Sequence, residues 1–232
     1  MNLIRNLGKV LIIAPHADDE TLGCGGLISR LMSNEADCHI HVVTGLGENE
    51  HPLFSEEIFT QIRTEFKKAI HHLGSPQYSF GNLPPVILND MPVYQINESI
   101  KEVIEKNNPN TIFIPFENDL HNDHKIINYA SKVALRPYLE MNKDLYGLIE
   151  YEVPSETNIY MKGSGEAFCP NLFLEINSEF DNKLKAFSEY KSQLQSKNQP
   201  RSLQGLKSLA SYRGINIGVK YAEAFRIIFN KL

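Results

Sequence analysis

Two short runs of residues in this chain could carry chemistry together: Pro15-His-Ala-Asp-Asp-Glu20 and His121-Asn-Asp-His124. Both mix imidazole with carboxylate, a donor set that suits zinc, and a catalytic zinc site needs three protein donors with one position left for water. Two histidines and one carboxylate also serve iron(II), and the residues leave Fe2+, Mn2+ and Co2+ open beside Zn2+. Consecutive loop residues point in different directions, so Asp18 and Asp19 are expected to divide the work. One would bind the ion, while the other lies beside a water whose pKa a metal lowers from 15.7 to about 7. His121 and His124 are three apart at a predicted helix start, close enough to share a face. One can ligate while the other donates to a developing oxyanion. Asp123 between them is a natural orienting partner for an imidazole.

Buried strands must position these runs. Val10-Leu-Ile-Ile-Ala14 is a continuous apolar stretch ending where the first run begins, and Thr111-Ile-Phe-Ile114 stands a few residues before the second. Such runs mark strands covered on both faces. A further strand is predicted over Cys38–Val43, and helices over 20–31, 55–73, 96–105, 124–135, 180–195 and 202–212, with Gly74 stopping the second of them. Alternation of strand and helix predicts a mostly parallel α/β sheet with helices on both faces, folded as a single domain over 1–232. In such a sheet the loops at the carboxyl ends of the strands form the functional edge. An Asp-Asp-Glu run alone is an ordinary helix N-terminus favoured by the macrodipole, and a lone His-x-x-His is ordinary surface polarity. Their occurrence together at equivalent strand ends is what points to a site.

Other candidates carry less. His39 and His41 alternate along a strand and read as structural, His71-His72 ends a helix, and His51 lies in a loop. Gly23-Cys-Gly-Gly26 lacks the spacing of a dinucleotide fingerprint or a P-loop and reads as close helix–strand packing. Hydrophobic residues make up 42% and charged residues 22%, so a folded core is expected. A formal charge of −5 with no Lys/Arg block argues against nucleic acid as a partner. Three irregularly spaced cysteines suggest a reducing compartment, and the N-terminal residues 1–9 lack the apolar run of a signal peptide, so a cytoplasmic protein without a membrane span is expected. The oligomeric state, a homo-oligomer included, is left open.

The run Ala14-Pro-His-Ala-Asp-Asp-Glu-Thr-Leu-Gly-Cys-Gly-Gly26 resembles the opening motif of the PIG-L/LmbE-like zinc-dependent de-N-acetylases, and His121-Asn-Asp-His124 resembles their second metal motif. The similarity continues through Arg63-Thr-Glu65, Tyr151-Glu-Val-Pro-Ser155, Pro200-Arg-Ser202, Arg213-Gly214 and Tyr221-Ala-Glu-Ala-Phe225. Ala17 and Asn122 stand where the family usually has proline, which removes no ligand. The resemblance implies a Rossmann-like fold, with His16, Asp19 and His124 as metal ligands and Asp18 as general base. It makes His121 the oxyanion donor tuned by Asp123, and Arg63 a substrate-holding residue. The implied substrate is a small N-acetylated sugar or sugar conjugate, N-acetylglucosamine-like, whose acetyl group is removed from the amide nitrogen.

Two rivals stand beside amide hydrolysis. A metal-dependent phosphoesterase would need more bridging carboxylates than Asp18, Asp19 and Asp123, to hold two ions about 3.5–4 Å apart. A binding module without catalysis would not need a complete set of ligands and base. The segments 82–94 and 146–160 are expected to form the rims of the pocket.

Overall fold

Five consecutive apolar residues, Val10–Ala14, form strand β1, and every one of them is buried. A strand can bury both faces only inside a sheet that is covered on both sides. That is where β1 lies in the computed structural model, which describes residues 7–45, 47, 51–157, 159 and 166–231. The other strands are β2 (Cys38–Val42), β3 (Gln77–Phe80), β4 (Thr111–Pro115), β5 (Gly147–Tyr151), β6 (Leu172–Glu175) and β7 (Ala222–Asn230). They form one seven-stranded sheet in the order β3-β2-β1-β4-β5-β7-β6. Only β7 runs against the rest, so the sheet is mostly parallel, as the alternation of elements predicts.

The helices are α1 (Asp19–Ser33), α2 (Glu56–His72), α3 (Val93–Asn107), α4 (Asn122–Ala134), α5 (Phe180–Glu189) and α6 (Leu203–Ile215). The period of two along β1 divides its side chains between two cores. Val10, Ile12 and Ala14 join Leu27, Phe66 and Phe187 on the face covered by α1, α2 and α5. Leu11 and Ile13 join Ile100 and Ile127 on the face covered by α3 and α4. Among the described residues no helix is long and apolar enough to cross a membrane.

The chain moves outward from β1 through β2 to β3, then returns to place β4 on the other side of β1. The order reverses between β1 and β4, and the crevice outside their carboxyl ends is the usual binding place in a sheet of this kind. Only four residues, Pro15 to Asp18, separate β1 from α1, a shorter loop than expected.

Helix α1 packs unusually close to the sheet. A Cβ at Gly23 would lie 2.2 Å from the Tyr151 ring on β5, and one at Gly26 would lie 2.5 Å from Ile176. In the space so gained, a charged pair reaches the middle of the helix. Glu223 of β7 accepts from the backbone N–H groups of Gly26 and Leu27, at 2.7 and 2.8 Å. Lys183 of α5 donates to the Leu22 carbonyl at 2.8 Å and to Glu223 at 2.6 Å.

Four strands, β3, β5, β6 and β7, were not legible as strands. β3 is a half-exposed edge, and β5 begins on a glycine and buries Glu150. Glu150 is held there by Asn128, Lys132 and Arg226. Helix α5 stops at Glu189 rather than continuing to 195, because the chain turns at Tyr190. The residues that follow run back over the carboxyl end of the sheet.

Candidate functional site

The loop from Pro15 to Asp18 is tied down before it reaches α1. Thr44 Oγ1 donates to the Pro15 carbonyl, and the His16 backbone N–H donates to Asp19 Oδ2 at 2.9 Å. Asp18 takes the left-handed φ of 133°, a conformation a side chain normally avoids. Its N–H donates to Glu20 Oε2, and buried Glu20 is itself held by the hydroxyls of Thr21 and Tyr190, both at 2.6 Å. The result aims the Asp18 carboxylate into the crevice. Its Oδ2 is buried and has no hydrogen-bond partner.

The second run opens α4. His121 caps the helix, its Nδ1 accepting from the Asp123 backbone N–H at 3.2 Å. That bond leaves the ring proton of a neutral His121 on Nε2, facing away from the helix. The Asp123 carboxylate turns instead to the other motif, with Oδ2 2.9 Å from His16 Nε2. The same oxygen accepts from the N–H of Val86, a β-branched residue held at φ 72°. His124 is oriented by Asp119, which sits 2.8 Å from its Nδ1 and accepts from Thr157.

His16 and His124 are therefore mounted alike. Each has one ring nitrogen on a buried carboxylate, Asp123 or Asp119, and presents the other to Asp19 Oδ2, at 3.3 and 3.2 Å. A carboxylate behind the imidazole is the usual support of a metal-binding histidine. Nitrogens of His16, His121 and His124 lie within 4.8 Å of one another. The charge balance suits a divalent cation. Burial opposes the His16 cation, yet Asp123 and Asp19 raise its pKa to about 9. Burial likewise opposes His124, and Asp19 and Asp119 raise it well above the ordinary histidine value. Burial would raise Asp19, but His124 and His16 hold it far below the usual carboxylate range. The carboxylates thus draw two protons into the cluster, which a dication can replace.

The neighbouring groups are tuned the other way. Burial, with His16 and His124 nearby, lowers His121 to about 4, so it is neutral near pH 7. Burial and then Asp19 raise Asp18 well above the usual carboxylate range, against the pull of Arg201, whose guanidinium is 3.5 Å from Asp18 Oδ2. A cavity of about 330 Å³ opens over these residues, lined also by Pro85 and Val86 from one expected rim and Ser155 and Glu156 from the other. Tyr160 of that second rim lies outside the described residues.

Arg201 rather than Arg63 lines this cavity. Arg63 braces its floor instead, donating to the Gly45 carbonyl and to Thr60 Oγ1. Two residues that touch the site had no role in the sequence reading. Asp119 precedes His121 by two, with no motif of its own. Arg201 stands in a resemblance segment and is delivered by the turn after α5, which sequence periodicity read as more helix.

The comparisons with known proteins agree with this geometry. The family model for GlcNAc-PI de-N-acetylase matches residues 11–135, more than half of the chain and both motifs. The diacetylchitobiose deacetylase of Thermococcus kodakarensis is 25% identical over 95% of this chain and 83% of its own. A probable N-acetyl-alpha-D-glucosaminyl L-malate deacetylase 2 of Bacillus cereus is 26% identical over 79% of this chain and 83% of its own. The N,N'-diacetylchitobiose deacetylase of Pyrococcus horikoshii shares the fold with a TM-score of 0.75, at 22% identity over 98% of this chain and 86% of its own. With both motifs inside the matched segment and brought together where the strand order reverses, the chain belongs to the PIG-L (GlcNAc-PI de-N-acetylase) family.

Proposed function

We propose that this protein is a zinc-dependent hydrolase that removes the acetyl group from the amide nitrogen of a small N-acetylated sugar or sugar conjugate, acting in the cytoplasm. The observation that carries the reading is the paired mounting of His16 and His124 about Asp19, with the unpartnered Asp18 Oδ2 beside them. His16 Nδ1, His124 Nε2 and the Asp19 carboxylate would hold the metal, with Fe2+, Mn2+ and Co2+ as alternatives to zinc. Bound there, the ion would polarise the acetyl carbonyl and make water nucleophilic near neutral pH. Relatives named as deacetylases of diacetylchitobiose and of N-acetylglucosaminyl malate support the substrate class.

The chain's own residues do the rest. Asp18 takes a proton at Oδ2 from the attacking water and passes it to the nitrogen as the C–N bond breaks, releasing acetate and a free amine. His121 donates from Nε2 to the carbonyl oxygen as negative charge gathers there. Asp123 holds His16 and, through its backbone, the His121 tautomer. Arg63 acts on the pocket through Gly45. The direct test is acetate release from a panel of N-acetylated sugars and conjugates by zinc-loaded protein, with phosphate release from a generic ester as the contrasting assay. Phosphate without acetate would replace this reading by the phosphoesterase one.

Two variants probe the assigned roles. His121→Ala lowers kcat by about 10²–10³-fold, the usual loss for one oxyanion donor, with metal content per chain unchanged. Metal lost in parallel would make His121 a ligand instead. Arg201→Gln shifts the acid limb of kcat/KM to higher pH. Asp18 must be ionised to act, burial and Asp19 already raise its pKa, and Arg201 opposes them. Without that cation the proton is kept to higher pH, and a limb that stays in place argues against Asp18 as the titrating base.

A further inference from the structure

The two sides of the cleft differ in kind. The ionisable groups, with Gln193 and Arg201, occupy one side, whereas the other is built from Phe54, Ile58, Phe59, Ile62, Pro85 and Val86. Phe59 packs inward, but Ile58 and Val86 remain 41% and 42% exposed at the mouth, and Leu53, beside Phe54 in the chain, is 59% exposed. Val86 is offered there from a backbone conformation that a β-branched residue normally avoids, held by its N–H bond to Asp123. None of these side chains can take part in hydrolysis. They are continuous with the site that performs it.

Size and chemistry limit what this wall can receive. At about 330 Å³ the cavity is at the small end of ligand sites, which run from about 300 to 1,000 Å³. One compact N-acetylated unit fills it, and whatever is attached to that unit must leave across the rim. A second sugar ring laid on Ile58 and Val86 would lose water from its hydroxyls and find no hydrogen-bond partner on those side chains, a net cost. A hydrocarbon laid there gains from leaving water.

We propose that the α2 wall takes an apolar substituent of the substrate, an alkyl or aryl group joined to the N-acetylated unit. The preferred substrate is then an amphipathic conjugate, not an all-polar oligosaccharide. The inference rests on the deacetylase reading above and names the substrate class of the same site.

The test measures acetate release by the zinc-loaded protein from methyl, propyl and hexyl N-acetyl-β-D-glucosaminides and from N,N'-diacetylchitobiose. The expected result is a kcat/KM that rises roughly two- to fourfold for each methylene the wall covers, with the hexyl glycoside above diacetylchitobiose. In Ile58→Asn the hexyl-to-methyl ratio falls by several-fold. Release that is flat with chain length, or greatest for diacetylchitobiose, overturns the inference and leaves the deacetylase reading standing. A rising series that Ile58→Asn does not flatten places the chain elsewhere and overturns the wall assignment. A flat series together with a dimer that Ile58→Asp splits, read by light scattering, puts a second copy on the wall and overturns it too. No acetate from any member overturns the deacetylase reading and the inference with it.

Discussion

Replacing Asp18 by asparagine lowers acetate release by roughly 10²–10⁴-fold, the range for losing a general base, and leaves the protein as stable as before or more so. The amide keeps the shape of the side chain and tolerates the positive φ at this position, but it cannot take a proton from water. The stability half follows from the direction of the pKa shift. Burial and Asp19 raise Asp18 in the folded chain, so its ionised form opposes folding at every pH above the unfolded value of about 3.9. Asparagine removes that opposition, offset in part by the lost attraction to Arg201. Thermal melting at pH 7 and turnover on one good substrate measure both halves. Near-normal turnover would take the base role from Asp18. A collapse in melting temperature would make the residue a fold determinant.

Stripping the metal abolishes activity and softens the protein in the same step. Asp19, Asp119 and Asp123 gather around two histidines in a space largely closed to water, and the ion balances their charge. At a free zinc concentration 100 times Kd, binding adds about 2.7 kcal/mol to stability. For a chain of this size each kcal/mol is worth roughly 2–4 °C, so chelator treatment lowers the melting temperature by about 5–10 °C and zinc restores it. His124→Ala, which removes a proposed ligand, loses both the activity and the zinc-dependent part of the melting shift. A melting temperature indifferent to zinc counts against a resident metal. Two ions per chain would revive the phosphoesterase reading.

The parts of the site legible in the sequence are those where chemistry and strand ends coincide. Val10–Ala14 and Thr111–Ile114 announce themselves because a strand buried on both faces has no polar option, and their loops carry the two motifs. The supporting residues are a different matter. Asp119 orients His124 from a position that no periodicity marks. The Asp123 carboxylate reaches His16 across 107 residues of chain rather than its neighbour His121, because the cap of α4 claims the His121 nitrogen through the backbone. β5 was hidden because its buried Glu150 is satisfied by Asn128, Lys132 and Arg226 from three other elements, and a partner brought by tertiary folding leaves no local trace. The aliphatic wall was hidden for the converse reason. Ile58, Phe59 and Ile62 look like the inner face of an amphipathic helix, and only the fold shows part of that face left open beside the site.

The charged pair in the middle of α1 bears on how the molecule opens. The segment up to residue 135 holds both histidine motifs, yet the helix carrying Asp19 and Glu20 is fastened by Tyr151, Lys183, Tyr190 and Glu223, all from the remainder of the chain. A fragment cut after α4 would keep every proposed ligand and lose the fastenings. In the intact protein, α1 has little opportunity to fray on its own, since releasing it means withdrawing Glu223 and Lys183 from its backbone. Its amide protons should exchange with solvent at the pace of global unfolding and not of local breathing, which makes the active-site loop one of the last places to loosen.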